Sequence, residues 1–292
     1  MTHTLPTVPL GPHQITRLIV GGNPFCGNSH YSPAMNREMA DYYTADQVVD
    51  VLKQCQAAGI HTVQARGDYH RVLYWIELFR RQGGALHWIA QTASEMHDVF
   101  QNIRILAAAG AMGVYHHGTR TDHYWREGQI DRVEDYLKCM RDAGVQVGLG
   151  THIPEVIVYA EEKGWDVDFY MACMYNLSRT PRESALVLQA QGNTQGQSNP
   201  NQVNEEQYLA EDRARMCEVV RQTPKTCLAF KILAASRNCA TQADVRAAFE
   251  YAFSHIKPQD AVVVGMYPKH VDQITLNVQH TLHAIEQSAT KE

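Results

Sequence analysis

Short apolar segments alternate with amphipathic segments along almost the whole chain. The apolar segments span four to six residues and are rich in Val, Ile, Leu and aromatic residues, which is typical of strands buried on both faces of a parallel sheet. The segments between them repeat apolar residues three or four positions apart, which indicates helices packed on one side. Eight strands are therefore predicted: Leu18–Gly22, His61–Gln64, His87–Gln91, Gly113–His117, Gln146–Gly150, Phe169–Met174, Cys227–Ile232 and Ala261–Gly265.

Several of the predicted helices carry recognisable start and stop signals. The sequences from Thr44 to Gln47 and from Thr241 to Asp244 have the spacing of a capping box, in which a hydroxyl accepts from the third helical N–H. Helices are also expected to end at glycines that adopt a left-handed conformation. These predicted C-caps are Gly59, Gly110, Gly144 and Gly164.

The order of the elements predicts a single α/β domain. Eight successive βα units favour a closed (β/α)8 barrel, or TIM barrel, over residues 15–292 after an N-terminal lead of residues 1–14. An open doubly wound sheet is the alternative, but no G-x-G-x-x-G motif follows a predicted strand to support it. The polar, Gln/Asn-rich stretch of residues 177–206 after the sixth strand is either a lid over a substrate or a mobile surface insertion.

Composition and charge narrow the class of protein. The 292 residues are 45% hydrophobic and 20% charged, the balance of a globular domain. A net charge of −5 without a basic cluster argues against nucleic acid, and no apolar run approaches the ~20 residues of a membrane span. Seven scattered cysteines with no C-x-x-C pair fit reduced thiols. We therefore expect a cytoplasmic protein with a small-molecule substrate; the sequence leaves its oligomeric state open.

Polar and titratable side chains are concentrated just after the predicted strands. In a (β/α)8 barrel these positions meet at one rim, where active sites lie. The candidate catalytic residues are Asp68, Tyr69, His117 and Lys231. The candidate substrate-binding residues are Asn23, His30, Gln64, Arg66, Gln91 and Asn176. A predicted loop after the fourth strand offers only unspecific polar contacts from Arg120, Asp122 and His123.

Two candidate residues suggest a metal site. His117 and His152 follow adjacent strands, whose ends lie ~4.8 Å apart in a sheet. Two imidazoles at that spacing are compatible with a shared divalent metal such as Zn, Mn or Mg, with Asp68 or, as a weak third ligand, Glu155 completing the set. Such an ion would polarise a carbonyl or lower the pKa of a bound water. The competing interpretation is a pair of hydrogen-bonded rim histidines without a metal.

Four segments resemble the aldo/keto reductase superfamily: GVYHHG, GLGTHIPEVI, MYNLSR and the C-terminal DVRAAFEYAFSHIKPQDAVVVGMYPKHVDQ. The resemblance extends from about Ile15 to the last helix and implies a (β/α)8 barrel that uses NADPH. Reductases of that family carry a tetrad of Asp, Tyr, Lys and His, in which the Tyr donates a proton. The resemblance places this tetrad on Gln64, Tyr69, Gln91 and His117.

The tetrad implied by the resemblance is incomplete. An Asp–Lys ion pair lowers the pKa of the neighbouring tyrosine, whereas the neutral amides of Gln64 and Gln91 have no charge with which to do so. The side chain that would hold a nicotinamide falls near Ala172, and the segment after the eighth strand keeps Lys269 but lacks a following Arg. Ordinary NADPH-dependent hydride transfer is therefore disfavoured.

Three functions are left open by the sequence. The first is a barrel enzyme of isomerase, lyase or hydrolase type, which acts on a small polar carbonyl or sugar-like substrate by acid/base chemistry with or without a metal. The second is a divergent NADPH-dependent aldo/keto reductase, in which Lys231 or Arg66 replaces the missing cation. The third is a non-catalytic barrel that binds a small ligand.

Overall fold

The computed structural model of the protein describes residues 4–68, 71–93, 96–179 and 206–290. Its strands are β1 (Thr7–Leu10), β2 (His13–Thr16), β3 (Leu18–Gly21), β4 (Thr62–Arg66), β5 (His87–Gln91), β6 (Gly113–His116), β7 (Gln146–Thr151), β8 (Phe169–Cys173), β9 (Thr226–Phe230) and β10 (Ala261–Gly265). Strands β3 to β10 are parallel and follow one another round a closed barrel. The ring closes where β10 pairs with β3, with Val262 opposite Leu18. The predicted (β/α)8 barrel is confirmed, and the open doubly wound sheet is wrong because an open sheet has no such closing pair.

Helices connect the barrel strands and cover the outside of the barrel. They are α1 (Pro33–Tyr42), α2 (Ala45–Ala57), α3 (Arg71–Arg81), α4 (Val99–Ala108), α5 (Gly118–Arg126), α6 (Val133–Asp142), α7 (Pro154–Glu162), α8 (Ala210–Gln222), α9 (Gln242–His255) and α10 (Gln273–Ala289), with short 3-10 helices at Pro24–Cys26 and Ile130–Arg132. The eight predicted strands agree with the observed ones to within two residues at each end. Helix α5 occupies the position of the predicted polar loop after the fourth barrel strand.

The predicted helix signals are confirmed with one difference. At α9, Thr241 Oγ1 accepts from the Asp244 N–H at 3.2 Å and Asp244 Oδ2 accepts from the Thr241 N–H at 2.8 Å, which completes the capping box. At α2, Thr44 accepts from the Gln47 N–H, but Gln47 Nε2 donates to the hydroxyl of Tyr42 instead of returning to the cap. All four predicted C-cap glycines have positive φ angles, between 66° and 86°.

The hairpin formed by β1 and β2 lies across the N-terminal ends of the barrel strands. Leu10 and Ile15 pack in one apolar cluster with Ile19, Ile89 and Phe169 from the barrel interior. A turn at Gly11, whose φ is 57°, joins the two hairpin strands. The described part of the N-terminal lead is therefore an ordered plug, and it leaves the opposite, C-terminal end of the barrel for a site.

Part of the long polar segment lies outside the described residues. This holds for residues 180–205 of the predicted lid or insertion, so the choice between those two interpretations stays open. The segment from Leu177 to Arg179 and the residues from Glu206 onward are described and lie at the C-terminal end of the barrel. Over the described ranges, none of the helices has the length and apolar character required to cross a membrane.

Candidate active site

Nearly all the candidate site residues that the structure describes follow the C-terminal ends of the barrel strands, on the side of the barrel that we call the mouth. Asn23 follows β3, Gln64 and Arg66 end β4, and Gln91 ends β5. The others lie just after β4, β6, β7, β8 and β9. These are Asp68, His117, His152, Asn176 and Lys231. Tyr69 lies outside the described residues, so its catalytic role stays a prediction.

A buried hydrogen bond at the mouth joins His152 to Asp122. His152 Nδ1 donates to Asp122 Oδ2 at 2.6 Å, and the His152 backbone N–H also donates to this carboxylate. Thr151 Oγ1 donates to Asp122 Oδ1 at 2.6 Å. The Asp122 side chain is only 4% exposed, so its charge is held inside the protein by these donors. A carboxylate at Nδ1 fixes the tautomer and leaves Nε2 of His152 as the proton acceptor.

Sequence reasoning missed Asp122 as a functional residue. Asp122 lies on the first turns of α5, thirty positions before His152, and no local spacing joins the two. The signal that was available is indirect. The segment after β6 begins with His117 and continues into a helix. A carboxylate five residues after His117 then lies against the C-terminal end of the next strand, β7.

His117 lies close to this dyad, and the charge of Asp122 and the ring of His152 both act on its pKa. Its backbone N–H donates to Thr92 Oγ1 at 3.0 Å. Burial, together with the positive charge of Arg66 and the neighbouring ring of His152, lowers the pKa of His117 to about 4. His117 is therefore a neutral imidazole at pH 7.

The two amides at the family's Asp and Lys positions are tied together by a tyrosine. Gln64 Nε2 donates to the hydroxyl of Tyr115 at 2.8 Å, and that hydroxyl donates to Gln91 Oε1 at 2.9 Å. Burial raises the pKa of Tyr115, so this chain of three side chains is neutral. Tyr115 faces the barrel interior from β6 and was not among the candidates, because an inward aromatic on a strand is ordinarily a core residue.

A second network surrounds Lys231. Its Nζ lies 3.6 Å from Glu206 Oε2, while Glu206 Oε1 contacts His30 Nδ1 at 3.2 Å and Tyr208 donates to Oε2 at 2.8 Å. Burial acts to raise the pKa of Glu206, but the hydrogen bond from His30 and the charge of Lys231 outweigh it and leave the pKa below its usual value. Glu206 is therefore a carboxylate that joins the loops after β3 and β9. It was treated as the end of the insertion because its partners are far away in sequence.

Two further candidates, Arg66 and Asn176, contact acidic side chains. Arg66 Nε lies 3.6 Å from Asp68 Oδ2, an ion pair at the end of β4. The Asn176 backbone N–H donates to Asp212 Oδ2 at 3.1 Å, and its side-chain oxygen accepts from the N–H of Ser178. Asn176 is thereby a loop-forming residue whose side chain faces a cavity.

The described residues do not supply the ligand set that a metal requires. No group of three His, Cys, Asp or Glu side chains among them is placed to hold an ion. Glu155, the weak third ligand, is half exposed and forms an ion pair with Arg215 at 3.3 Å. His152 already uses Nδ1 to hold Asp122. The structure therefore gives the metal hypothesis no support within the described ranges.

Two cavities open near these networks. The large cavity, of about 340 Å³, lies between the ends of β3, β9 and β10, and its lining includes His30, Gln64 and Lys231. The side cavity, of about 110 Å³, is lined by His152, Asn176 and residues of α7 and α8. Phe230 lines the large cavity and its ring packs edge-on against His152, with centroids 5.7 Å apart. This phenylalanine is therefore the contact between the Lys231 side and the His152 side of the mouth.

No family model matches the chain, and no curated protein matches it either. Solved structures do. One from Pseudomonas aeruginosa that is assigned to the aldo-keto reductases matches with a TM-score of 0.56 and 17% identity, over 99% of this chain and 97% of that chain. A truncated 3-deoxy-D-arabino-heptulosonate 7-phosphate synthase from Thermotoga maritima gives 0.54 and 9%, over 99% and 94%. A dihydropteroate synthase from Xanthomonas albilineans gives 0.51 and 14%, over 99% and 98%.

These similarities define the class of fold. Each of these three structures matches over nearly the whole chain. At these identities, the similarity shows the shared architecture alone. The expectation of a (β/α)8 barrel like that of an aldo-keto reductase is confirmed. Proteins with this barrel perform unrelated chemistries, because the reacting groups belong to the loops after the strands and not to the barrel itself. The function of this protein therefore depends on the residues at the mouth of the barrel.

Proposed function

We propose that this protein is an acid/base enzyme that transfers protons on a small polar carbonyl or sugar-like compound, in a reaction of isomerase, lyase or hydrolase type. The observation that carries the proposal is the contact of His152 Nδ1 with the buried carboxylate of Asp122 at 2.6 Å. A histidine fixed in this way presents Nε2 as a base. The carboxylate then stabilises the imidazolium that forms when Nε2 has taken a proton.

The neighbouring residues suit this chemistry. His117 is neutral at pH 7 because its pKa is about 4, so it accepts or donates a hydrogen bond without carrying charge. Lys231 and Arg66 supply positive charge at the same mouth, which favours the negative charge that develops on a carbonyl oxygen when a neighbouring proton is removed. Asp68 and Tyr69 remain candidate catalytic residues, and Asn23, His30, Gln64, Gln91 and Asn176 remain candidate substrate contacts.

The neutral chain through Tyr115 also favours proton transfer over hydride transfer. In the arrangement implied by the family resemblance, a charged Asp–Lys pair acidifies a tyrosine. Here, within the described part of the chain, Gln64 and Gln91 are hydrogen-bonded to Tyr115 and carry no charge themselves, so these two amides contribute polar contacts but not the effect of an ion pair.

Deuterium exchange tests the proposal without knowledge of the natural substrate. The protein is incubated in D2O with dihydroxyacetone, glyceraldehyde or pyruvate, and loss of the α-proton signal is followed by proton NMR against a buffer blank. We expect exchange with at least one probe and a loss of about 10²–10⁴-fold in Asp122→Asn, because the amide can donate to Nδ1 of His152 and so favours the tautomer whose Nε2 already carries a proton.

The matched control is His123→Ala. His123 is the neighbour of Asp122 on α5, but it is exposed and pairs with Glu127 on the same helix. This variant should exchange as the wild type does. Exchange that is equal in the wild type and in Asp122→Asn, or absent with every probe, would overturn the assignment and favour a non-catalytic ligand-binding barrel.

The large cavity favours one second candidate, an NADPH-dependent reductase. Its volume of about 340 Å³ is at the lower end of the range for small-molecule pockets. Its described lining contains Lys231 but no aspartate or glutamate, and includes Gln242 and Gln273 at the first turns of α9 and α10, where backbone N–H groups favour phosphate. When bound, NADPH supplies a hydride. Lys269 is a poor partner for a further phosphate because it is paired with Glu38 at 3.0 Å.

Fluorescence titration with NADPH and NADH decides whether the reductase is a better description. Binding that is weakened by Gln242→Glu, which adds a negative charge to the cavity, but unchanged by Gln259→Glu far from it, would support the reductase. Absence of binding at any accessible nucleotide concentration would remove this second candidate and leave the acid/base proposal as it stands.

A further inference from the structure

Lys231 is held in an unusual position for a lysine. Its side chain is only 10% exposed, and it lines the large cavity beside His30 and Gln64. Its φ angle is 60°, in the left-handed region that non-glycine residues adopt only when the surrounding structure enforces it. The following loop repeats this conformation at Ala234, Ala235 and Ser236. Backbone strain of this kind is concentrated at functional sites, so the strain favours a functional role for Lys231.

The groups around Lys231 are those that a carbonyl condensation requires. Glu206 makes its shorter contacts with Tyr208, at 2.8 Å, and with His30, at 3.2 Å. Its distance to Lys231 Nζ is longer, at 3.6 Å, so the carboxylate is within reach of the amine without holding it in a close hydrogen bond. Glu206 thus stays ionised beside the amine, where its negative charge stabilises a positively charged nitrogen.

We propose that Lys231 is a nucleophile that condenses with the carbonyl group of a small aldehyde or ketone and forms a protonated imine in the large cavity. The inference rests on the proposed function, since it names the substrate class as a carbonyl compound and gives Lys231 a covalent role. Such a step requires neither a thiol nor a metal. It needs only an amine, a group or solvent that exchanges protons, and space for the carbonyl.

The step balances without another reactant. The ammonium of Lys231 gives one proton to solvent water, and the free amine then adds to the carbonyl carbon. After a proton moves from nitrogen to oxygen, solvent returns one proton to the hydroxyl, which leaves as water. The products are a protonated imine and one water, and Glu206 remains a carboxylate throughout. The positive charge of the imine then draws electrons from the neighbouring carbon, which makes its proton easier to remove.

The position of Lys231 relative to the His152 dyad is compatible with this division of roles. Lys231 follows β9 and His152 follows β7, so the two strand ends are two strand spacings apart, roughly 10 Å along the barrel wall. Phe230 contacts the His152 ring and borders the large cavity, so an aromatic ring lies between the two groups.

Reductive trapping tests the inference. The folded protein is mixed with dihydroxyacetone, glyceraldehyde or pyruvate, sodium cyanoborohydride is added, and the intact mass is measured before peptide mapping. We expect a mass gain of one probe molecule less one oxygen atom, located at Lys231. An adduct spread over exposed lysines with Lys231 unmodified would overturn the proposal, as would no adduct with any probe.

The chain provides an internal control and a matched variant. Lys257 is comparably buried, with 12% of its side chain exposed, but it is paired with Asp260 at 3.0 Å at the other end of the barrel. It should stay unmodified, which shows that burial alone does not give the reactivity. In Lys231→Arg the positive charge beside Glu206 is kept but no imine can form, so the adduct should disappear while the thermal melting temperature is retained. Persistence of the adduct in that variant would also overturn the proposal.

Failure of this inference and failure of the proposed function are distinguishable. Deuterium exchange that depends on Asp122 but occurs without any trapped adduct means that proton transfer proceeds on the free carbonyl, and only the imine is wrong. A trapped adduct at Lys231 without Asp122-dependent exchange means the reverse: the carbonyl condensation is right and the role given to the His152 dyad is wrong.

Discussion

Histidines lie at both ends of the barrel, and the two groups differ in what holds them. At the mouth, His152 Nδ1 donates to Asp122 and His30 contacts Glu206. At the base, the rings of His13 and His87 pack edge-on with centroids 5.2 Å apart, and His61 lies at the start of the neighbouring strand. Over the described ranges, none of these three base histidines has a carboxylate partner. The candidate site is therefore distinguished by a histidine that is both buried and oriented by a carboxylate, since an exposed helix histidine such as His123 also pairs with a carboxylate.

The difference follows from the topology of the barrel. Base residues begin strands beside the β1–β2 hairpin, where His61 is exposed and His13 and His87 are partly buried. Mouth residues end strands and continue into loops that bring distant carboxylates to them. The pKa of His87 is lowered by burial and by His13 and His61, which is the response of imidazoles packed together without an acid.

The largest expected effect separates the two groups of histidines by activity. His152→Gln should lower deuterium exchange by about 10²–10⁴-fold, because it removes an oriented base. His87→Gln, the same substitution at the base, should leave the exchange rate unchanged. Both rates are measured by proton NMR with the same carbonyl probe. An equal loss in the two variants would show that the mouth is not where proton transfer occurs.

The next effect separates the two ends by stability. Ile15 is fully buried in the cluster between the hairpin and the barrel, so Ile15→Ala should lower the free energy of unfolding by about 2–5 kcal/mol. Urea unfolding followed by circular dichroism measures it, and Val271→Ala, at an exposed position, serves as the control. The exchange rate of the folded Ile15→Ala protein should match that of the wild type. A large fall in that rate would mean that the plug shapes the mouth.

The sequence was sufficient for the barrel because each βα unit carries its own signals. Runs such as Ala261–Gly265 and glycines such as Gly110 determine local structure with nearby residues only, and eight repeats then leave few arrangements. The hairpin was not predicted, and residues 1–14 were treated as a lead. Pro9 argues against a strand there, but β1 is one of only two strands in its small sheet, where a missing N–H costs little.

The site was predictable in position but not in partnership. Placing polar residues at strand ends was enough to bring His117, His152 and Lys231 to one mouth. The side chains that determine their chemistry were missed: Asp122 on a helix and Glu206 after a long polar segment. Each contacts its partner across 30 or more residues, 30 for Asp122 with His152 and 176 for Glu206 with His30. Such contacts leave no spacing pattern in a single sequence.

Acid should weaken both ends, and the mouth histidine gives the clearer magnitude. An unfolded histidine titrates near ~6.5, whereas the pKa of folded His117 is about 4. Between these values the unfolded chain binds a proton that the folded protein does not, so stability present above pH 6.5 falls as the pH falls. The shift corresponds to a loss of about 3 kcal/mol once the pH is below 4.

Urea midpoints at pH 7.5, 6 and 5 measure this dependence. His117→Asn should flatten the pH profile, and His87→Gln should do so in the same direction because its pKa is also lowered. His123→Gln, at an exposed position, should leave the profile unchanged. A wild-type protein that gains stability on acidification would contradict the burial of both groups.

The smallest expected effect concerns Tyr115, which belongs to both regions. Its ring packs in the interior cluster with the hairpin, while its hydroxyl joins Gln64 and Gln91 just below the mouth. Tyr115→Phe should lower the free energy of unfolding by about 1–2 kcal/mol, because both amides lose a buried partner.

Replacing all three polar partners with apolar groups tests that reason for the loss. In Gln64→Met, Tyr115→Phe, Gln91→Met, no amide is left unpaired, so urea unfolding should show part of the stability restored relative to Tyr115→Phe alone. A triple variant less stable than the single one would mean that the amides have other partners at the mouth. In that case the polar network of the mouth extends further into the barrel than the Tyr115 hydroxyl.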